Sequence, residues 1–298
     1  MESLRRFEFA SMGTDCSLVM ECESETTALI ALHLVRSEVS RLESKYSRFL
    51  AGSELSVINT AARSGITVAI DSETCLLLDY ARATYLLSDR LFDITALPLI
   101  HLWRESRENR PDPLALQAVM DRVGLQNLTW TEQHLSFARP EMAIDFGGLV
   151  KEYAVDRCHD ILTAAGHRSA LIDLGGDIRV TGPRAEDRAW EIGVRSPTAR
   201  TISEKKLHVK QGAIATSGDY ERFTVIDGQR YCHIINPVTG FPCRDLSSVT
   251  VAAENCMKAG FLSTTAMLME EQGPQWLASR HANFIAIPNR LFDGSRAA

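Results

Sequence analysis

Ile144-Asp145-Phe146-Gly147-Gly148-Leu149-Val150-Lys151-Glu152-Tyr153 divides this chain. A helix is predicted from Leu149 to Ala165, stopped at Gly166, where a residue without a Cβ ends it at low cost. Directly after it, Ile172-Asp173-Leu174-Gly175-Gly176 echoes Ile144 to Gly148. Two copies of five residues do not make a repeat protein, but both read as strand-to-turn signals with exposed backbone amides. Before this divide the sequence reads mainly as helix, and after it mainly as strand. Segregated helices and strands with many hairpins indicate an α+β fold rather than a doubly wound sheet.

Towards the N-terminus, strands Arg6 to Ala10 and Cys16 to Cys22 flank Met12-Gly13-Thr14. Leu29, Leu32, Val35, Val39, Leu42, Tyr46 and Phe49 then recur at steps of three and four, the period of an amphipathic helix. A second helix is expected from Asp71 or Ser72 to Ser88. Asp112-Pro113 gives an N-cap with proline at the first helical position, and Gly124 is read as that helix's end. Phe92 to Leu99 reads as an extended, proline-bearing loop whose Asp93 and Thr95 lie among apolar residues. That setting suits a flat aromatic ligand or a buried connector. Towards the C-terminus, strands are expected at 169–173, 177–181, 190–194, 213–216, 231–235 and 247–253, then a helix from Met257 to Glu270 and a strand from Asn283 to Ile287.

The 298 residues, 45% hydrophobic and 23% charged, have the composition of a soluble globular protein. A net charge of −6 removes the basic footprint that a general nucleic-acid or anionic-membrane surface needs. An anionic ligand would have to be met by local donors or a metal. The N-terminal ten residues hold no apolar run of signal-peptide length, and no segment approaches the ~18 apolar residues of a membrane helix. Seven cysteines without a CxxC pair fit buried thiols in a reducing compartment, so a cytoplasmic location is expected.

Chemistry concentrates at a few positions. His233 closes the predicted strand and is followed by the Asn236-Pro237-Val238-Thr239-Gly240 turn, 11 residues after Ser217-Gly218-Asp219-Tyr220-Glu221-Arg222. An imidazole titrates near neutrality, so this residue can take a proton from a hydroxyl or bind an anion. Gly147-Gly148 precedes a helix start, and Gly175-Gly176 forms a second turn. Glycines there let a phosphate approach backbone amides, although neither matches a dinucleotide fingerprint or a P-loop. Lys151, Arg222 and Lys258 are phosphate-binding candidates. Ser263-Thr264-Thr265 puts three hydroxyls on an apolar helix, where they bond back to the preceding turn or ligate magnesium.

Taken together these segments resemble the ApbE family of FAD:protein FMN transferases. The resemblance is carried by Met12-Gly13-Thr14; Ser47-Arg48-Phe49 with Ser53-Glu54-Leu55 and Asn59; Phe92 to Thr95 with Pro98-Leu99 and Trp103; Asp145 through Asp156; Leu174 to Asp177; Ser217 to Tyr220; and His233 through Pro242. It implies one α+β domain over residues 1–298, two intertwined sub-domains with FAD between them, and a magnesium-dependent reaction. In that reaction a Ser or Thr hydroxyl of an acceptor flavoprotein attacks FAD, FMN becomes ester-linked to the acceptor, and AMP leaves. By position, Met12, Phe49, Ala96, Leu97, Pro98, Gly147, Tyr153, Gly175, Gly176 and Ile234 would line the FAD site, and His233 would be the base. Phe49 stands where a tyrosine is usual.

Two departures fall on the metal site. The family's Lys-Gly pair is here Lys151-Glu152, and the aspartate expected four residues before Thr264 is Gly260. The other implied metal contact is the main-chain carbonyl of Val150. Either Glu152 replaces the missing carboxylate, giving Val150, Glu152 and Thr264 as the magnesium set, or the metal site is lost. The second case would leave a flavin-binding protein without transferase activity. An FAD pyrophosphatase, in which water replaces the acceptor hydroxyl and FMN and AMP are released, is a further alternative.

Overall fold

The computed structural model describes residues 3–106, 109–195, 202–220, 223–226 and 229–289. In chain order the elements are β1 (Ser3–Ser11), β2 (Thr14–Cys22), α1 (Glu25–Tyr46), α2 (Glu54–Arg63), β3 (Val68–Ala69), α3 (Ser72–Leu87), α4 (Leu97–Glu105), α5 (Pro113–Met120), β4 (Leu128–Trp130) and β5 (His134–Phe137). There follow α6 (Val150–Ala164), β6 (Ala170–Leu174), β7 (Asp177–Val180), β8 (Trp190–Arg195), β9 (Ile202–Val209), β10 (Gly212–Gly218), β11 (Phe223–Ile226) and β12 (Gln229–Cys232). The last are β13 (Leu246–Ala253), α7 (Cys256–Leu268), α8 (Gly273–Ser279) and β14 (Asn283–Pro288).

Seven strands form a sheet of order β1-β2-β6-β7-β10-β13-β14, antiparallel at every pairing. This is the α+β arrangement that the segregated pattern predicts. Side chains alternate across each strand, and here both faces are covered. Leu18, Met20, Ala170, Ile172, Ala213 and Ala215 join the core under α1, α6 and α7. Val19, Leu171, Ile178 and Ile214 point the other way, against Trp190 and Ile192 of the β8–β9 hairpin. A third apolar cluster joins α4 and α5 to the β11–β12 hairpin through Leu99, Trp103, Leu116, Ile226 and Tyr231. Trp103 and Tyr231 stack with ring centroids 5.0 Å apart.

Three sequence expectations are corrected. α1 ends at Tyr46, and its buried face runs through Ala28, Ala31, Val35, Val39, Leu42 and Tyr46. Leu29 lies 100° off that face and is half exposed, while Phe49 lies beyond the helix and is 71% exposed. The Phe92–Leu99 segment is not an extended loop, because a single 3₁₀ turn over Ile94–Ala96 runs straight into α4. Pro98 sits in the first turn of that helix, where its missing N–H removes no hydrogen bond. α5 stops at Met120, and Gly124, at φ 133°, begins the next turn instead of closing the helix. The Asp93 carboxylate accepts from the Thr95 N–H and hydroxyl and from the Leu125 N–H. Thr95 in turn accepts from the Gly124 N–H. These two polar groups pin a buried connector.

The first turn of α3 is tied to α1 by charge. Glu73 accepts from Arg41 at 2.7 and 2.8 Å and from Lys45 at 2.8 Å. The Arg41 hydrogen bond, opposed by burial and reinforced by Lys45, holds the Glu73 carboxyl down at about 2. Its folded pKa lies below the unfolded value near 4.3. Its contribution is therefore complete above about pH 5 and disappears as pH falls towards 2. Glu73→Gln is expected to lower stability by about 1–2 kcal/mol at pH 7 and by much less at pH 3, as read by urea unfolding at the two pH values.

Candidate functional site

Several of the predicted site residues meet at one end of the large sheet. Met12, at φ 52°, and Gly13 make the β1–β2 turn, and the Met12 N–H donates to Glu43 Oε1 of α1 at 2.9 Å. Because β2 pairs with β6, the β6–β7 turn lies beside it. Gly175 and Gly176 take φ of 64° and 90° there, and a Cβ on Gly175 would stand 2.4 Å from Thr14 Oγ1. The amides of these turns are less available than the sequence implies. Gly175 N–H donates to the Asp15 carbonyl, Gly176 N–H to Asp173 Oδ1 and Gly147 N–H to Asp145 Oδ1. The glycines serve the turns through conformation and close approach.

Asp145 gathers a second group. Its N–H donates to the Ile94 carbonyl at 2.8 Å, its carboxylate pairs with Arg48, and Asn59 exchanges two hydrogen bonds with the backbone of Ile144. Phe49, the Ala96-Leu97-Pro98 start of α4 and Gly147 therefore share one neighbourhood. Ala96 and Leu97 are buried. Phe49 is exposed beneath the Arg48 guanidinium, 4.9 Å from its ring centroid.

The first turn of α6 sends three successive side chains to three partners, as the 100° step of a helix requires. Lys151 Nζ pairs with the buried Asp177 of β7 at 2.5 Å. Tyr153 turns towards α3 and donates its hydroxyl to Glu73 at 3.1 Å. Glu152, 7% exposed, points at α7. A Cβ on Gly260 would stand 2.6 Å from Glu152 Cγ and 2.7 Å from its Oε1. Glu152 Oε2 is buried without a hydrogen-bond partner. Burial, reinforced by the Asp177 charge, lifts the Glu152 carboxyl well above the usual carboxylate range. One turn beyond Gly260, Thr264 Oγ1 lies 2.8 Å from Ser217 Oγ at the end of β10, and Ser263 Oγ meets the same hydroxyl at 2.8 Å.

His233 follows β12 directly and is exposed, while Ile234 and Ile235 after it are buried. The loop around it is fixed on three sides. Cys243 N–H donates to the Ile234 carbonyl at 3.0 Å, Trp103 Nε1 donates to the Gly240 carbonyl at 2.7 Å, and Asn236 Nδ2 reaches the Leu268 carbonyl at 3.4 Å. The last contact ties the loop to α7 one turn past Thr264. Nearby Asp219 is buried and accepts from Arg230 and Asn289. Of the phosphate candidates, Lys151 is bound to Asp177, Lys258 is paired with Glu254 on an open face, and Arg222 lies outside the described residues. Sequence reasoning assigned no role to Ser217, Asp177 or Asp156. Each acts through a cross-element contact that no local pattern encodes.

The described residues contain no group of three or more His, Cys, Asp or Glu side chains arranged to hold a metal. What they offer instead is the buried Glu152 carboxyl against Gly260, with the charges of the buried Asp177 and Asp156 acting on it, and the Thr264 hydroxyl one turn further along α7. A groove of about 650 Å³ along the outer face of α1, lined by Leu29, His33 and Arg36 among others, includes none of these residues.

The sequence profile of the ApbE family matches residues 12–287. The chain belongs to that family. An FAD:protein FMN transferase of Vibrio cholerae is 33% identical over 265 residues, covering 85% of this chain and 78% of that protein. Among solved structures, the ApbE protein of Thermotoga maritima superposes with a TM-score of 0.87 at 28% identity, covering 96% of this chain and 94% of its own. The flavin transferase ApbE from Vibrio cholerae gives 0.82 at 27% identity, with 98% and 99% covered.

Proposed function

We propose that this protein is an FAD:protein FMN transferase. A Ser or Thr hydroxyl of an acceptor flavoprotein attacks the FMN-side phosphorus of FAD, a phosphoester forms, the phosphoanhydride breaks, and AMP leaves. The observation that carries this reading is the meeting of α6 and α7 at Glu152, Gly260 and Thr264 within the site of an ApbE-family fold. FAD lies against Met12, Phe49, Ala96, Leu97, Pro98, Gly147, Tyr153, Gly175, Gly176 and Ile234, between the two sub-domains of one domain. All seven cysteines are free thiols, which supports a cytoplasmic location. No helix among the described residues is long and apolar enough to cross a membrane.

The donors present suit a magnesium ion. Glu152 has a buried oxygen without a partner, Thr264 supplies a hydroxyl and Val150 a main-chain carbonyl, all of them hard oxygen ligands. Bound there, the cation would neutralise the diphosphate and stabilise the departing AMP. The fixed loop around Ile234 holds His233 at the surface, where an incoming hydroxyl can reach it. The imidazole takes that proton as the phosphoester forms. The rigid turns at Met12 and Gly175 hold the donor in place, so that attack occurs in line.

Purified protein is expected to bind FAD with micromolar or tighter affinity, about −8 kcal/mol or better, and FMN more weakly because it lacks the adenylate half. A flavin-fluorescence titration checks this, and indifference to FAD at tens of micromolar would end the reading. Incubation with FAD and magnesium, with and without an acceptor domain, separates the chemistries. AMP only with acceptor supports transfer, AMP without it indicates a pyrophosphatase, and no AMP indicates flavin binding alone.

A further inference from the structure

We propose that the cation-binding carboxylate of this protein has moved between helices: Glu152 of α6 occupies the space left open by Gly260 of α7 and binds a hard divalent cation together with Thr264. The inference rests on the transferase reading above and deepens it.

Gly260 lies in the interior of α7, where glycine is less stable than alanine by about 1 kcal/mol. A reason for tolerating it is at hand. The three atoms nearest to a Cβ at this position are Cγ, Oε1 and Cδ of Glu152, at 2.6, 2.7 and 3.0 Å. A side chain at 260 and a glutamate at 152 exclude one another, so the two positions share a single volume.

The Glu152 side chain is not explained by the packing around it. Its Oε2 is buried with no hydrogen-bond partner, and the adjacent Lys151 pairs with Asp177. An ionisable group kept dry with an open oxygen is costly unless something binds it. The carboxylate is directed at the helix that carries Thr264 four residues after Gly260, which puts the two positions on one face. Thr264 Oγ1 and Ser217 Oγ add hydroxyl oxygens 2.8 Å apart. Among the described residues no three His, Cys, Asp or Glu side chains converge there to hold a metal by themselves, so hydroxyls, water and substrate phosphates would have to complete the shell. One carboxylate with hydroxyls suits magnesium or manganese, which retain water and take substrate phosphates as further ligands. Cation binding should therefore be strongest with FAD bound.

The test is Mn²⁺ titration of FAD-loaded protein by EPR, with Mg²⁺ as competitor, beside thermal melts of the apoprotein. Glu152→Gln should weaken Mn²⁺ binding by at least ~10-fold, since even outer-shell changes cost that much. It should hold or raise the apoprotein Tm, because a buried open carboxylate is removed. A purely structural glutamate would lower the Tm instead. Gly260→Asp alone should lower the Tm by several degrees through collision with Glu152. Glu152→Gly with Gly260→Asp should recover both the Tm and the Mn²⁺ affinity. Wild-type Mn²⁺ affinity in Glu152→Gln overturns the assignment, as does wild-type protein that takes up FAD but no Mn²⁺. Both of those results leave the transferase reading standing. Protein that takes up neither FAD nor Mn²⁺ overturns both.

Discussion

His233→Ala is expected to slow FMN transfer by ~10²–10⁴-fold, the usual contribution of a positioned base, while FAD affinity stays close to wild type. The loop that carries His233 is held by other groups. Ile234 and Ile235 are buried, the Gly240 carbonyl accepts from Trp103, and Cys243 N–H closes on Ile234. Losing the imidazole should leave that backbone in place. Single-turnover AMP release and FAD titration, measured on the same preparation, separate the two effects. Equal losses in binding and turnover would instead make His233 a ligand-positioning residue. The base role would then pass to Asp219 or to a water. Asp219 is poorly suited to it, since the carboxylate is buried and already accepts from Arg230 and Asn289.

The order of elements was legible where the sequence signals were local. The 150–164 helix, its stop at Gly166 and the strands on either side of Gly175-Gly176 follow from periodicity and glycine. The family segments, spread over most of the chain, pointed to the ApbE fold. Errors arose where two local signals competed. At α1 the large apolar residues Leu29 and Phe49 suggested the face, but small Ala28 and Ala31 define it, because the helix lies close against β2 and α6. At Pro98 the proline read as a loop marker, although the first turn of a helix accepts it equally well. α2 was missed, although its Ser53 cap accepts from the Ser56 N–H; at ten residues it gives little periodicity.

The site was legible as a set of residue types, and the pairing inside it was only partly so. That a carboxylate is missing at 260 and another present at 152 can be read from the chain; that both claim the same few ångströms cannot. Likewise the glycine turns announced close backbone approach, while the capture of their amides by Asp15, Asp145 and Asp173 depends on neighbours that fold alongside them. Lys151 looked like a phosphate ligand until Asp177, on another element, took its charge.

Asp156→Ala is expected to be the most destabilising of these substitutions, by about 3–5 kcal/mol. One buried carboxylate here serves three donors on two elements. Asp156 Oδ1 accepts from Arg179 of β7 and from the Cys256 N–H, each at 2.8 Å, and Oδ2 accepts from the Met257 N–H at 2.9 Å. Together with Asn255, which accepts from the Lys258 N–H, it satisfies the first three amides of α7 and places a negative charge at that helix's positive end. Removing it strands a mostly buried guanidinium and two helix-terminal amides at once. Loss of the Asn255 cap alone, in Asn255→Ala, should cost only about 1 kcal/mol. Asp156→Asn keeps the shape and an acceptor but loses the charge, so it should fall between the two. α7 carries Gly260 and Thr264, so the fraying of its first turn should weaken Mn²⁺ binding in the folded Asn variant as well. Urea unfolding of the three variants checks the order. A stability for Asp156→Ala within 1 kcal/mol of wild type would mean that Arg179 and the α7 amides find other partners, and that α7 is placed by its apolar packing alone.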